Sequence, residues 1–190
     1  MPPKPKFERE QIVQAALTLI SKHGPEALTT RALSVELGSS ARPIFTVFRN
    51  MEELQQEVRA AAVARYASYE DRAAQYQPVF RRAGMQMVLF ASEEPKLYQL
   101  LFMQENRGAV GFADLYKGLG SGADYCIRAI ESDYGLSEQD ARRLFEMVWV
   151  YTFGVGALIA TGACSFSEEE LARMLTADFT AAMMLIRSGR

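Results

Sequence analysis

The sequence predicts an all-α protein, a three-helix head followed by a helical body, with about nine helices in all. Three observations predict it. Apolar residues recur at helical spacing through most of the 190 residues. Glycine, proline and short polar residues fall between these runs, where helices start and stop. No strand of note, internal repeat or low-complexity segment interrupts the pattern. Hydrophobic residues at 49% and charged residues at 23% fit an ordinary globular chain.

Met1 to Lys6 holds three prolines and two lysines and reads as a disordered arm, with Lys4 and Lys6 able to touch phosphate or a minor groove. From Glu8 to His23 a first helix carries Ile12, Ala15, Ala16, Leu19 and Ile20 on one stripe. His23, the only histidine, ends it beside Gly24, where it suits the helix dipole.

The next stretch, Thr29 to Leu54, reads TTRALSVELGSSARPIFTVFRNMEEL. Thr29 or Thr30 caps a helix whose Ala32, Leu33 and Leu37 share a face. Gly38 ends it in the left-handed conformation that glycine tolerates. Ser39 or Ser40 caps a second short helix, and Pro43 lies early enough in it to lose no hydrogen bond. Asn50 and Glu53 have the spacing of a capping box. Two short helices joined by a tight glycine turn can form a helix-turn-helix, which lays its second helix in a DNA major groove, or a plain helical hairpin. In the first case Ser39, Ser40, Ala41, Arg42, Pro43, Phe45 and Thr46 meet the duplex. Arg42 then reads a base, and Arg49, past the helix end, holds a phosphate.

A long helix from Asn50 to about Tyr76 places Leu54, Val58, Ala61, Ala62, Arg65, Tyr66 and Tyr69 on one face, a lever between head and body. Pro78 breaks it. Helices follow at Val79–Ser92 and, after Pro95, at Lys96 to about Glu105, with an end or kink at Asn106-Arg107-Gly108. Gly118, Gly120 and Gly122 leave a loop or weak helix before a helix at about Ser121–Tyr134. Ser137 caps the next, which runs to about Thr161, and a last helix spans Glu168–Ile186 with three glutamates at its positive end.

Composition bounds function. No apolar run reaches the roughly 20 residues that cross a bilayer, and MPPKPKF has no signal-peptide core. A cytoplasmic location with no membrane partner is expected. Cys126 and Cys164 fit no zinc or redox motif and read as reduced, buried thiols. With one histidine, no metal site, cofactor or catalytic residue is expected. Residues 1–60 hold eight Lys/Arg against seven Asp/Glu, so any DNA contact is local rather than a broad basic field. The body is rich in methionine and aromatic side chains. They are core, or collectively the wall of an apolar pocket: Met85, Met87, Phe90, Tyr98, Phe102, Met103, Tyr116, Tyr125 and Trp149. Further polar anchors for a ligand are Glu105, Asn106 and Arg107.

Between Phe7 and Leu54 the chain carries Ile12, Ala15, Ala16, Leu19, Gly24, Leu28-Thr29-Thr30, Leu33, Leu37-Gly38-Ser39-Ser40, Ile44-Phe45, Phe48, Asn50 and Glu53-Leu54. This pattern resembles the DNA-binding domain of the TetR family of transcriptional repressors, over about the first third of the chain. The resemblance implies a head at 1–50, an effector-binding and dimerisation body at 51–190, and a homodimer on a palindromic operator. It implies release by a small apolar or aromatic effector. The stretch Trp149–Gly162 resembles the family's penultimate helix, which builds the dimer interface with the last helix. The implied interface residues are Phe153, Gly156, Ala157, Ala160, Met174, Phe179 and Met183. Where the family usually shows Tyr, His and Lys, this chain has Phe45, Val47 and Met51. Phosphate contacts then fall to Arg49, Thr30 and backbone N–H groups. A helical adaptor with weakened DNA binding and, more remotely, a small-molecule enzyme are the alternatives.

Overall fold

The computed structural model describes residues 6–73, 78–105, 111–117, 119 and 122–189. Among these there are ten α-helices and no strand. They are α1 (Arg9–His23), α2 (Thr30–Glu36), α3 (Arg42–Phe45), α4 (Met51–Ala73), α5 (Val79–Glu93), α6 (Pro95–Phe102), α7 (Ala113–Lys117), α8 (Gly122–Tyr134), α9 (Glu138–Ala160) and α10 (Glu168–Arg187). The helix beyond the expected nine is α7, in the stretch read as a loop or weak helix. Lys4, Asn106, Arg107, Gly118 and Gly120 lie outside the described residues.

Local chemistry sets most boundaries. The Thr29 hydroxyl accepts from the Ala32 N–H at 3.2 Å and starts α2. Gly38, with φ +58°, turns the chain out of it. Ser137 caps α9, and Ser167 with Glu170 closes a capping box on α10. Pro95 opens α6 at a position where its missing N–H costs nothing. Two starts differ from expectation. Ala41, not Ser39 or Ser40, precedes α3, without a side-chain cap. Asn50 does accept from the Glu53 N–H at 2.8 Å, but the Glu53 carboxylate turns to the Arg49 N–H at 2.7 Å instead of closing the box.

The head packs α1, α2 and α3 around Ile12, Ala16, Ile20, Leu33, Ile44 and Phe48, all at most 1% exposed. The first turns of α4 add Leu54 and Val58. Val47 and Met51 are partly buried against this core, which is the work they do here. Arg9 fastens the assembly. It pairs with Glu53 at 2.6 Å and with Glu57, donates to the Val47 carbonyl at 2.9 Å, and lies 4.3 Å from the Phe48 ring centre.

In the body α9 is the central helix, packed on α5, α6, α8 and α10. By length and composition alone it could cross a membrane; here those four neighbours cover part of its apolar surface, while Val150 and Leu158 stay exposed. Helix α4 joins head to body. Arg59 donates to the Leu100 and Leu101 carbonyls at the end of α6, at 3.1 and 3.3 Å. Arg65 pairs with Glu94 at 2.8 Å, and the Tyr69 hydroxyl donates to Glu93 at 2.7 Å. The orphan carbonyls at a helix end are thereby satisfied by the lever itself.

Candidate functional site

Two places carry the residues singled out above, a face of the head and a cavity in the body. On the head, Ser40, Arg42, Phe45, Thr46 and Arg49 are exposed, while Ala41 and Pro43 are partly so. Arg42 has no hydrogen bond or ion pair among the described residues, because the carboxylate nearest in expectation, Glu36, is taken by Lys22 at 3.0 Å. Arg49 reaches outward, 88% exposed, with its Nε 3.2 Å from Glu53. The Thr46 hydroxyl donates to the Pro43 carbonyl. Lys6 donates to the Ser39 hydroxyl at 2.9 Å, so the arm begins beside the helix-turn-helix turn. Thr30 is half-buried, and its carbonyl accepts from the Ser34 hydroxyl. Sequence reasoning passed over Arg31, an exposed cation in the first turn of α2.

The cavity lies in the body between α4, α5, α7, α8 and α9. Its walls include Tyr66 and Glu70 from α4, Phe80, Ala83, Gly84 and Met87 from α5, Tyr116 from α7, Cys126 from α8, and Phe145, Val148, Trp149 and Thr152 from α9. Its volume is about 40 Å³, room for a few waters, and it opens toward solvent. The walls therefore stand close together.

Of the nine pocket residues expected from sequence, Met87, Tyr116 and Trp149 line this space. The other six do not. Phe90 is fully buried among Tyr66, Tyr69 and Tyr98, and Phe102 is wedged between Tyr66 and Tyr98. The Tyr98 hydroxyl is consumed by the Phe153 carbonyl at 2.9 Å. Met85 packs with a separate cluster around Val88, Val155 and Leu171. Met103 and Tyr125 face solvent.

The electrostatics single out Glu70. Burial pushes its carboxyl up to about 7, against a smaller downward pull from the neighbouring Tyr66 hydroxyl and an upward one from Asp71. No ion pair reaches it among the described residues. Gly122 of α8 gives it room, since a side chain there would overlap the carboxylate. The buried Tyr116 hydroxyl also has no hydrogen-bond partner of acceptable geometry. Arg142, which is paired with Glu138 at 3.3 Å, comes near enough to that hydroxyl to have its own proton held more firmly. Burial and the Glu70 charge push the Cys126 thiol up to about 12, so it is inert. Cys164, expected buried, is exposed in the turn after α9.

The expected interface residues on α9 and α10 turn mostly inward. Gly156 is buried because the Tyr98 hydroxyl occupies the place of its missing side chain, so the close approach is made within one chain. Ala160 and Met183 are buried core. Phe179 packs on Phe80 and Tyr134, Phe153 stacks on Trp149, Met174 joins the Val88 cluster, and Ala157 is partly buried. The outward stripe of these helices is instead Val150, Gly154 and Leu158, with Ala177, Ala181 and Met184.

Comparison with known proteins follows this geometry. Residues 12–58 match the family model for bacterial regulatory proteins of the tetR family. An uncharacterised HTH-type transcriptional regulator of Mycobacterium tuberculosis is 27% identical over 162 residues, covering 83% of this chain and 72% of its own. A TetR-like transcriptional regulator from Rhodococcus sp. RHA1 shares the fold with a TM-score of 0.70 at 17% identity, over 96% of this chain and 99% of that one. Thermus thermophilus FadR, a TetR-family repressor solved with lauroyl-CoA, superposes with a TM-score of 0.62 at 16% identity over 93% of each chain. A TetR variant from Acinetobacter baumannii solved with minocycline gives 0.56 at 18% identity over 96% of each. The family match identifies residues 12–58 as a tetR-family DNA-binding domain, and the chain as a whole has the fold of TetR-like transcriptional regulators.

Proposed function

We propose that this regulator is a cytoplasmic repressor that works as a homodimer on a palindromic operator and is released when a small apolar or aromatic ligand enters the body. In this reading residues 1–50 bind DNA, residues 51–190 bind the effector and the second copy, and the ligand is bound rather than turned over. The observation that carries it is the exposed Arg42, unpaired among the described residues, at the start of α3, the end of a recognition helix that meets base edges. The cavity supports a ligand, as do the lauroyl-CoA and minocycline held by proteins of the same fold. The stripe Val150, Gly154, Leu158, Ala177, Ala181 and Met184 supports a second copy on α9 and α10, since a methyl at Gly154 would meet nothing within its own chain. A ligand that fits one spacing of the heads better than the other shifts the population toward it. Helix α4, tied to the α6 carbonyls by Arg59, is the natural carrier of that shift.

The test is binding to duplexes selected from a random pool and to the DNA upstream of the gene, at several salt concentrations. The expected product is an inverted repeat bound by two copies. Arg42→Ala relaxes specificity at one position of each half-site, by about 1–3 kcal/mol. Arg49→Ala weakens all sequences alike and lowers the salt slope by about one unit per phosphate lost. Unchanged base preference in Arg42→Ala, or retention of no duplex at low salt, overturns the reading; the second result favours a helical adaptor.

A further inference from the structure

The cavity holds one charge among its described walls, and that charge is negative. Glu70 projects from α4 into a space otherwise walled by Tyr66, Phe80, Phe145, Trp149 and other uncharged groups, with no cation paired to it. Gly122 leaves the carboxylate its room on the opposite side. The Tyr66 hydroxyl is its one hydrogen-bonding neighbour among the described residues, and a largely desolvated carboxylate without a cation is costly, a cost that a cationic ligand would remove. Aromatic faces around such a carboxylate add attraction for a cation and nothing for an anion. The Tyr116 hydroxyl, itself buried and unpartnered, offers a second polar point at the same wall.

We propose that the effector is a compact lipophilic amine whose protonated nitrogen pairs with the Glu70 carboxylate while its apolar part lies against the aromatic walls. The proposal rests on reading the cavity as the effector site and names the chemical class that site selects. An anionic ligand would bring a second negative charge into a low-dielectric space beside the first. A neutral ligand would leave Glu70 as it is. A cation offsets the desolvation of the ionised carboxylate, which neither of the other two classes does. The narrowness of the cavity asks for a small ligand, one that Met87 and its neighbours can turn aside to admit.

The titration of Glu70 supplies an independent signature. With its carboxyl near 7 in the free protein, pairing with a cation favours the ionised form, so binding expels a proton near neutrality. The other titratable groups that face Glu70 are Tyr66 and Asp71 on its own helix and Cys126 on α8; Tyr116 also lines the cavity from α7. Burial raises Tyr66 and Cys126 well above that range, so neither competes for the proton.

The experiment uses one skeleton with three charges: phenylbutylamine, phenylbutanol and phenylbutanoate. Trp149, the only tryptophan and part of the wall, reports binding by its fluorescence. The amine is expected to bind at least about tenfold tighter than the alcohol and the acid. Its affinity should rise as the pH is raised through about 7. Glu70→Gln should erase the advantage of the amine over the alcohol, and a cooperative thermal unfolding transition shows that the variant is folded. Tighter binding of the acid or alcohol, or an amine preference that survives Glu70→Gln, overturns the charge class and leaves the cavity as a site. No response to any of the three removes the cavity site and the proposal with it.

Discussion

Head and body are built from the same helices-on-helices architecture, yet they settle their polar groups in opposite ways. In the head each inward charge has its partner: Arg9 alone serves Glu53, Glu57, the Val47 carbonyl and the Phe48 ring. In the body the half-buried Glu70 carboxylate has only the Tyr66 hydroxyl beside it and no cation among the described residues, and the buried Tyr116 hydroxyl has no hydrogen-bond partner of acceptable geometry. A closed core fixes one geometry, and that is what a DNA-reading surface needs. A core with an unpaid polar group is open to a second molecule, which is what a sensor needs. The lever between them, α4, takes part in both cores: Leu54 and Val58 at one end, Tyr66 and Glu70 at the other.

The contrast can be broken in four ways. The largest effect is expected in the head. Phe48→Ala removes a ring that is 1% exposed and supports Arg9, and should cost about 3–5 kcal/mol in denaturant unfolding. A loss under about 1 kcal/mol would mean that the head is not closed.

Next comes the pH dependence of the body. The Glu70 carboxyl is raised from 4.5 to about 7 in the folded chain, so the folded state holds its proton more tightly than the unfolded state does. Stability from this group is therefore fully present below 4.5 and is lost as the pH rises through about 7. The loss is up to about 3 kcal/mol. Comparing the stability of wild type and Glu70→Gln across this range isolates it: the variant should gain on the wild type as the pH rises. Parallel profiles would show that Glu70 is solvated or paired.

A smaller loss is expected at Gly156. Gly156→Ala places a methyl where the Tyr98 hydroxyl lies, and overpacking of this kind costs about 1–3 kcal/mol. The expected readout is a lower melting temperature with no change of oligomeric mass, because the crossing is internal. Loss of the dimer with stability intact would return Gly156 to the interface. The smallest effect has the opposite sign. A methyl at Gly84 would meet Thr152 and Leu175 at 3.6–4.0 Å, ordinary contact distances, beside the cavity. Gly84→Ala should stabilise the protein by about 0.5–1 kcal/mol through helix propensity while narrowing the cavity and weakening the binding of its ligands.

The helices were legible in the sequence wherever a local signal ends them. Thr29, Gly38, Pro95, Ser137 and Ser167 act within four residues of themselves, and each does what its type predicts. The start of α3 was not legible: two serines offered caps, yet the chain enters the helix at Ala41 and leaves Ser39 to Lys6. What sequence could not supply was the neighbour across a helix. The glycines of α9 announce close approach, but periodicity does not say to what, and Tyr98 of the same chain is the answer for Gly156. The pocket suffered likewise. A stripe of rings and methionines marks apolar faces, and only the tertiary arrangement separates Trp149, beside the cavity, from Phe90, sealed in the core. Glu70 did leave a signal. It stands four residues after Tyr66, on the flank of the lever's buried face, where a carboxylate is out of place.

The pairing of Arg49 with Glu53 has a consequence for how DNA binding is measured. Glu53 is shared: Arg9 holds it from the other side, so Arg49 can leave it for a phosphate without stranding a charge in the head. Glu53 thus serves as a built-in counterion, standing where a mobile anion from solution would otherwise gather. In the proposed reading phosphate displaces it, and less ion is set free than an unpaired arginine would release. The salt slope of the wild-type protein should therefore undercount its phosphate contacts. Replacing Glu53 with glutamine should steepen that slope even though no new contact to DNA is made.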